Sequence, residues 1–165
     1  MSLAIPLVDL LDYSDHERRK WRAWLAADPS RLQLPLQGSG RFPTVGALLD
    51  HLFLIERRHL ARLEGSTPPD ATGVPPGDLD DLFEYADLVR ADFRTFVEEL
   101  DEERADEMVH VLAPSGQFSL TRRRLAVHVL LHEIRHLAQL ALAARLAGAE
   151  PPGQHDFAFF RGKER

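Results

Sequence analysis

The chain contains no cysteine. That absence excludes a disulfide framework and any thiolate ligand, leaving imidazole and carboxylate as the candidate metal ligands. Any thiol chemistry must therefore use a thiol brought from outside. Long apolar runs are lacking too: none approaches the roughly 18 residues needed to span a bilayer, and no membrane association is expected. The segment from Met1 to Leu11 is apolar, but it carries Asp9 and has no basic leader or small-x-small cleavage pattern. It does not read as a signal peptide, and a cytoplasmic setting is expected. Basic residues are in the minority, 20 Lys and Arg against 26 Asp and Glu, for a formal net charge of -6. This argues against nucleic acid as a partner.

What is present is enough for a real core. A chain of 165 residues with a charged fraction near the globular average reads as one compact soluble domain, residues 1–165. Leu7, Leu10, Leu11, Trp21, Trp24 and Leu25 mark a first helix ending near Ala27. Ser14, Asp15, Glu17 and Arg18 interrupt its apolar stripe, which points to exposure of that turn or to a polar cavity inside the bundle, with exposure the reading expected. After a loop containing Gly38, Gly40 and Pro43, Thr44 is suited to cap a second helix that runs to about Leu63 and stops at Gly65. Its stripe reads Val45, Leu48, Leu52, Ile55 and Leu63, with His51 on or beside the buried face.

Residues 65–77 hold four prolines and three glycines, which rules out helix and strand. Extended, about 13 residues reach roughly 43 Å, longer than the roughly 30 Å of a 20-residue helix. The connection can therefore return the chain along the molecule and set the third helix parallel to the second. That helix starts at Asp78 and carries Leu82, Tyr85, Ala86, Val89, Phe93, Phe96, Val97 and Leu100, then frays in the acidic stretch from Asp101 to Glu107. Met108 to Leu120, around Pro114, Ser115 and Gly116, reads as a short hairpin or irregular connection. A fourth helix, capped by Ser119 or Thr121, continues to Leu146 before Gly148, Pro151 and Pro152. The fold class expected is all-α. Phe157, Phe159 and Phe160 in the tail suggest docking on the bundle or on a partner. The basic run Arg122 to Arg124 reads as a solvated first turn, with contact to a phosphate or carboxylate as the alternative.

Eight histidines stand out in this length. At about 100 degrees per residue, His132 and His136 lie only about 40 degrees apart on one helical face, one turn from each other. Both imidazoles can then reach a single ion, and His51, core-facing on another helix, is the best third ligand. Unpaired imidazoles stacked in a helical core would otherwise leave polar groups seeking partners. His128 reads as a supporting donor or a core residue, with a fourth ligand as the alternative, while His16, His59, His110 and His155 read as structural or exposed.

These residues together resemble a family. A mid-helix His in the second helix, a last helix reading H-V-L-L-H-E-I-R-H-L-A-Q-L and a closing R-L-A-G are similar to the DinB/YfiT-like superfamily. The likeness extends to D-Y-S-D in the first helix, D-H-L-F-L-I-E in the second, F-E-Y-A-D in the third and H-D-F in the tail. It implies a four-helix bundle of up-down-down-up order with a zinc, nickel or similar ion on His51, His132 and His136. It further implies a metal-dependent S-transferase that joins a low-molecular-weight thiol to a small electrophile. Many relatives carry a small residue and then Arg-Gly-Gln around the second histidine of the pair, where this chain has Glu133, Leu137, Ala138 and Gln139.

Two other readings stand beside that one. His132 to His136 spells the H-E-x-x-H of zinc peptidases, with Glu133 as general base and Glu150, His155 or Asp156 as a further ligand. In a bundle, Glu133 is expected to face outward, with a carboxylate that supports the metal ligands from behind as the alternative. A bundle that binds metal for stability alone, without catalysis, is the other alternative. A homodimer through an exposed helical face or the aromatic tail is compatible with all three.

Overall fold

The computed structural model describes residues 5–36, 42–70, 78–113 and 116–162. Long helices dominate: α1 (Leu7–Ala26), α2 (Val45–Leu63), α3 (Leu79–Glu98) and α5 (Arg122–Leu146), with a short α4 (Glu102–Ala105). Between α4 and α5, β1 (Met108–Ala113) and β2 (Gly116–Thr121) pair antiparallel, Met108 opposite Thr121 and Ala113 opposite Gly116. The expected irregular or hairpin connection is thus a regular hairpin, and the fold is mainly helical with one small sheet. Its expected turn residues Pro114 and Ser115 lie outside the described residues, as do Gly38 and Gly40. The chain divides into two compact units, one of residues 1–51 with 133–165 and one of residues 52–132.

In the first unit, Leu11, Trp21, Leu25, Leu48, Leu140 and Ala144 are fully buried. The expected exposure of the polar turn of α1 is wrong. Ser14 is 0 %, Glu17 2 % and Arg18 5 % exposed, and each has a partner in the structure. Ser14 and Arg18 bond Glu133, and Glu17 pairs with Lys20 and with His155 of the tail. Polar residues inside an apolar stripe are stable where hydrogen bonds replace the lost water, as they do here. The tail docks on α1. His155 stacks on Trp21 at 5.4 Å, Phe157 and Phe160 set their edges against Tyr13 at 5.1 and 5.7 Å, and Trp24 Nε1 donates to the Glu150 carbonyl. Burial and the Glu17 carboxylate beside it push the Tyr13 phenol up to about 12.

The start of α2 is held firmly. Thr44 Oγ1 accepts from the Ala47 N–H, as a capping threonine should. Backbone bonds from Val45 N to the Leu34 carbonyl and from Leu36 N to the Pro43 carbonyl tie the preceding strands of chain together. A Cβ on Gly46 would stand 3.2 Å from the Leu32 carbonyl oxygen, so only glycine allows this close approach without a shift.

In the second unit, Phe53, Leu60, Leu63, Phe83, Phe93 and Leu125 form the core. Ile55, expected in the stripe of α2, is half-buried, and Glu56 beside it is buried instead. Glu56 pairs with the buried Arg90 at 2.9 Å, Phe53 meets Phe83 at 5.5 Å, and Arg57 approaches Asp92 at 3.8 Å. Residue numbers rise together along both helices in these contacts, so α2 and α3 run parallel. This agrees with the expectation drawn from the long connection, of which residues 71–77 lie outside the described residues. Asp78 caps α3 through the N–H groups of Asp80 and Asp81. The acidic stretch does not simply fray: Asp101 caps α4 by accepting from the Arg104 N–H at 2.8 Å. Of the two caps expected for α5, Thr121 is the one used, accepting from the Arg124 N–H. α2 ends before Gly65 and α5 before Gly148, both at positive φ, as C-terminal glycines do.

Candidate metal centre

Two of the three histidines expected to form a site meet within the first unit. His51 and His136 lie edge to face with ring centroids 5.4 Å apart. His132 stands one turn before His136 on α5, which at 3.6 residues per turn aims it to the same side. Each of the three offers a ring nitrogen, and these atoms all lie within 4.8 Å of one another. His136 is buried and the other two are half-buried, so the group is enclosed yet reachable from solvent. It could hold a metal ion.

The surroundings of His136 fit that chemistry. Its Nδ1 is 2.6 Å from Gln139 Oε1, one turn along the same helix. An amide oxygen can only accept, so Nδ1 carries the proton and Nε2 keeps its lone pair. Such a partner behind a ligand fixes ring orientation and tautomer. Gln139 was missed as a functional residue by sequence reasoning, although its position three residues after His136 signals the contact. Phe42 adds an apolar wall, with its ring 4.5 Å from that of His51 and 6.1 Å from that of His136.

Glu133, expected to face outward, is buried at 2 % exposure. Arg18 Nε and Nη2 both lie 2.8 Å from its Oε1, and the Ser14 hydroxyl donates to its Oε2. Both oxygens of the buried carboxylate thus accept bonds from α1, one of them from a guanidinium that stabilises its charged form. This weighs against Glu133 as the general base of a zinc peptidase. Of the further peptidase ligands considered, His155 turns to Glu17 instead.

His128, expected as a supporting donor or a core residue, is exposed. Its ring stands 5.7 Å from that of His132 and 5.4 Å edge-on to that of His59. His59 is strongly perturbed: burial, then Arg62, His128 and Arg58 nearby, lower it to about 3. Its unfolded-state value is about 6.5, so the native state binds fewer protons in between. The cost is absent above about pH 6.5 and accumulates as pH falls toward 3. His59→Phe should therefore flatten the acid limb of a stability-against-pH curve recorded in chelator. Identical limbs for the two proteins would show that His59 is not the group responsible. His110 bonds Ser119 Oγ across the hairpin at 2.7 Å, and His16 lies against Phe160.

Among the described residues, no helix is long and apolar enough to cross a membrane. The sequence matches no curated protein. The model of the DinB family matches residues 1–163, nearly the whole chain. With that match spanning α1 through the tail, and with the histidines of α2 and α5 brought together, the chain belongs to the DinB family.

Proposed function

We propose that this DinB-family chain holds one divalent ion, zinc or nickel, on neutral His51, His132 and His136, and that it is a metal-dependent S-transferase. The observation that carries the reading is the convergence of three imidazole nitrogens within 4.8 Å. Three neutral ligands leave a divalent ion its full charge and an open position, where a small thiol from outside would lose its proton. Gln139 holds the His136 tautomer that such binding needs, and Phe42 keeps water from one side of the group. The chain's own role is thus to fix neutral donors and to leave room for a thiol and an electrophile. The single domain and the up-down-down-up order of the four long helices belong to the same proposal, as does a cytoplasmic setting.

Metal-loaded protein should transfer thiol from a panel of low-molecular-weight thiols to a generic electrophile, and chelation should abolish the transfer. An unstructured peptide offered to the same protein should remain intact. Cleavage of that peptide, lost in Glu133→Gln, would overturn the proposal in favour of a peptidase. Tight metal binding without transfer to any electrophile would leave a metal-stabilised bundle as the better account.

A further inference from the structure

The unit of residues 52–132 contains a cavity of about 530 Å³ that the histidine group does not explain. Small-ligand sites commonly fall in the range of about 300–1,000 Å³. Arg58 and Arg62 line it from the last turns of α2, Arg122 from the first turn of α5, and Met108, His110 and Leu112 from β1. Three guanidinium groups thus face one space.

Their hydrogen bonding is incomplete. Arg122 Nη2 pairs with Glu107 at 2.9 Å, yet Arg122 Nε is buried without a partner, and so is Arg58 Nε. Arg62 Nη1 donates to the Arg58 carbonyl at 3.1 Å and lies 3.3 Å from His59 Nδ1. Among the described residues no carboxylate pairs with Arg58 or Arg62, and residues 71–77 include no acidic side chain. Burial and the nearby Arg58 charge both disfavour the charged form of Arg62. Buried donors without acceptors are costly, and cations gathered with one carboxylate among them repel. An anion would answer both problems, and guanidinium groups match carboxylate and phosphate oxygens in geometry.

The strand side of the cavity has a different character. Val109 and Val111 point into the core, while Met108 and Leu112 on the opposite face of β1 are 56 % and 76 % exposed. Apolar side chains left in water beside a cationic cavity suit a ligand with an apolar body. We propose that this cavity binds a small organic anion, its carboxylate or phosphate held by Arg58, Arg62 and Arg122 and its apolar body covered by Met108 and Leu112. Arg122 and His132 are separated by ten residues of one helix, about 15 Å along its axis, so this is a second site. It makes specific the phosphate or carboxylate contact weighed for the Arg122 to Arg124 run.

Calorimetric titration at constant ionic strength tests the proposal, with phenyl phosphate, benzoate, inorganic phosphate and acetate as probes. At least one aromatic probe should bind saturably and more tightly than its small counterpart. The tighter of phenyl phosphate and benzoate identifies the head group. Arg58→Gln and Arg62→Gln should each weaken binding by about tenfold, the loss of roughly one charge-assisted bond. Met108→Glu, at an exposed position that leaves the core intact, should weaken it similarly by placing a negative charge at the mouth. His132→Ala should bind the probe as the parent does, which separates this site from the histidine group. The proposal fails if no probe saturates below about 10 mM, an affinity too weak to specify a ligand. It fails equally if the Arg58, Arg62 and Met108 variants bind as the parent does, or if His132→Ala alone abolishes binding.

Discussion

Arg18→Ala is expected to destabilise the protein by about 3–5 kcal/mol, the usual cost of removing one partner of a buried ion pair. The reason lies in what stays behind. Glu133 is 2 % exposed, and Arg18 supplies two nitrogens to one of its oxygens. Without Arg18 the carboxylate loses both of those nitrogens and its countercharge at a buried position, while the Ser14 hydroxyl still donates to it. Equilibrium unfolding in urea measures the loss directly. Removing both charges should be far milder, so Arg18→Met combined with Glu133→Leu should recover much of the stability. A loss below about 1 kcal/mol for Arg18→Ala would place the pair among weak, solvated bridges and contradict its burial. The same experiment bears on function, because a Glu133 held for stability is unsuited to shuttle protons.

His132→Ala and His51→Ala should each lower divalent-metal affinity by more than about 100-fold. That bound follows because loss of a supporting partner behind a ligand already costs about 10–100-fold, and a ligand itself contributes more. Gln139→Leu, which removes the acceptor from His136 Nδ1, should fall within that smaller range. Competition against a chromogenic chelator measures all three variants. His128→Ala, altering an exposed residue, should bind metal as the parent does. If His51→Ala keeps the parent affinity while His132→Ala loses it, the third ligand is misassigned. Acid should release the ion as the histidines protonate, a loss separable from the His59 effect because the latter persists in chelator.

The sites differ in how far they could be read without coordinates. His132 and His136 were legible because a helix has a fixed period, and four residues return a side chain to nearly the same face. His51 was legible because it lies three residues after Leu48 and four before Ile55, on or beside the face read as buried. Gln139 was within reach by the same rule, three residues beyond His136, yet glutamine is common on solvated faces and carries no signal alone. Ser14, Glu17 and Arg18 were misread for a related reason. A polar residue inside an apolar stripe reads the same whether it meets water or a buried partner, and exposure is the commoner outcome.

Local chemistry in the sequence determined where the elements begin and end. Thr44 and Asp78 cap, Gly65 and Gly148 stop, and the apolar period places each helix. These depend on neighbours within about one turn, which a linear pattern carries. Only the tertiary structure decided partners. Glu133 finds Arg18 across 115 residues and His155 finds Glu17 across 138, and Arg58, Arg62 and Arg122 come to line one cavity. No period links residues so far apart. Their meeting is set by how whole helices and the hairpin pack, and a polar group's burial and choice of partner follow from that packing.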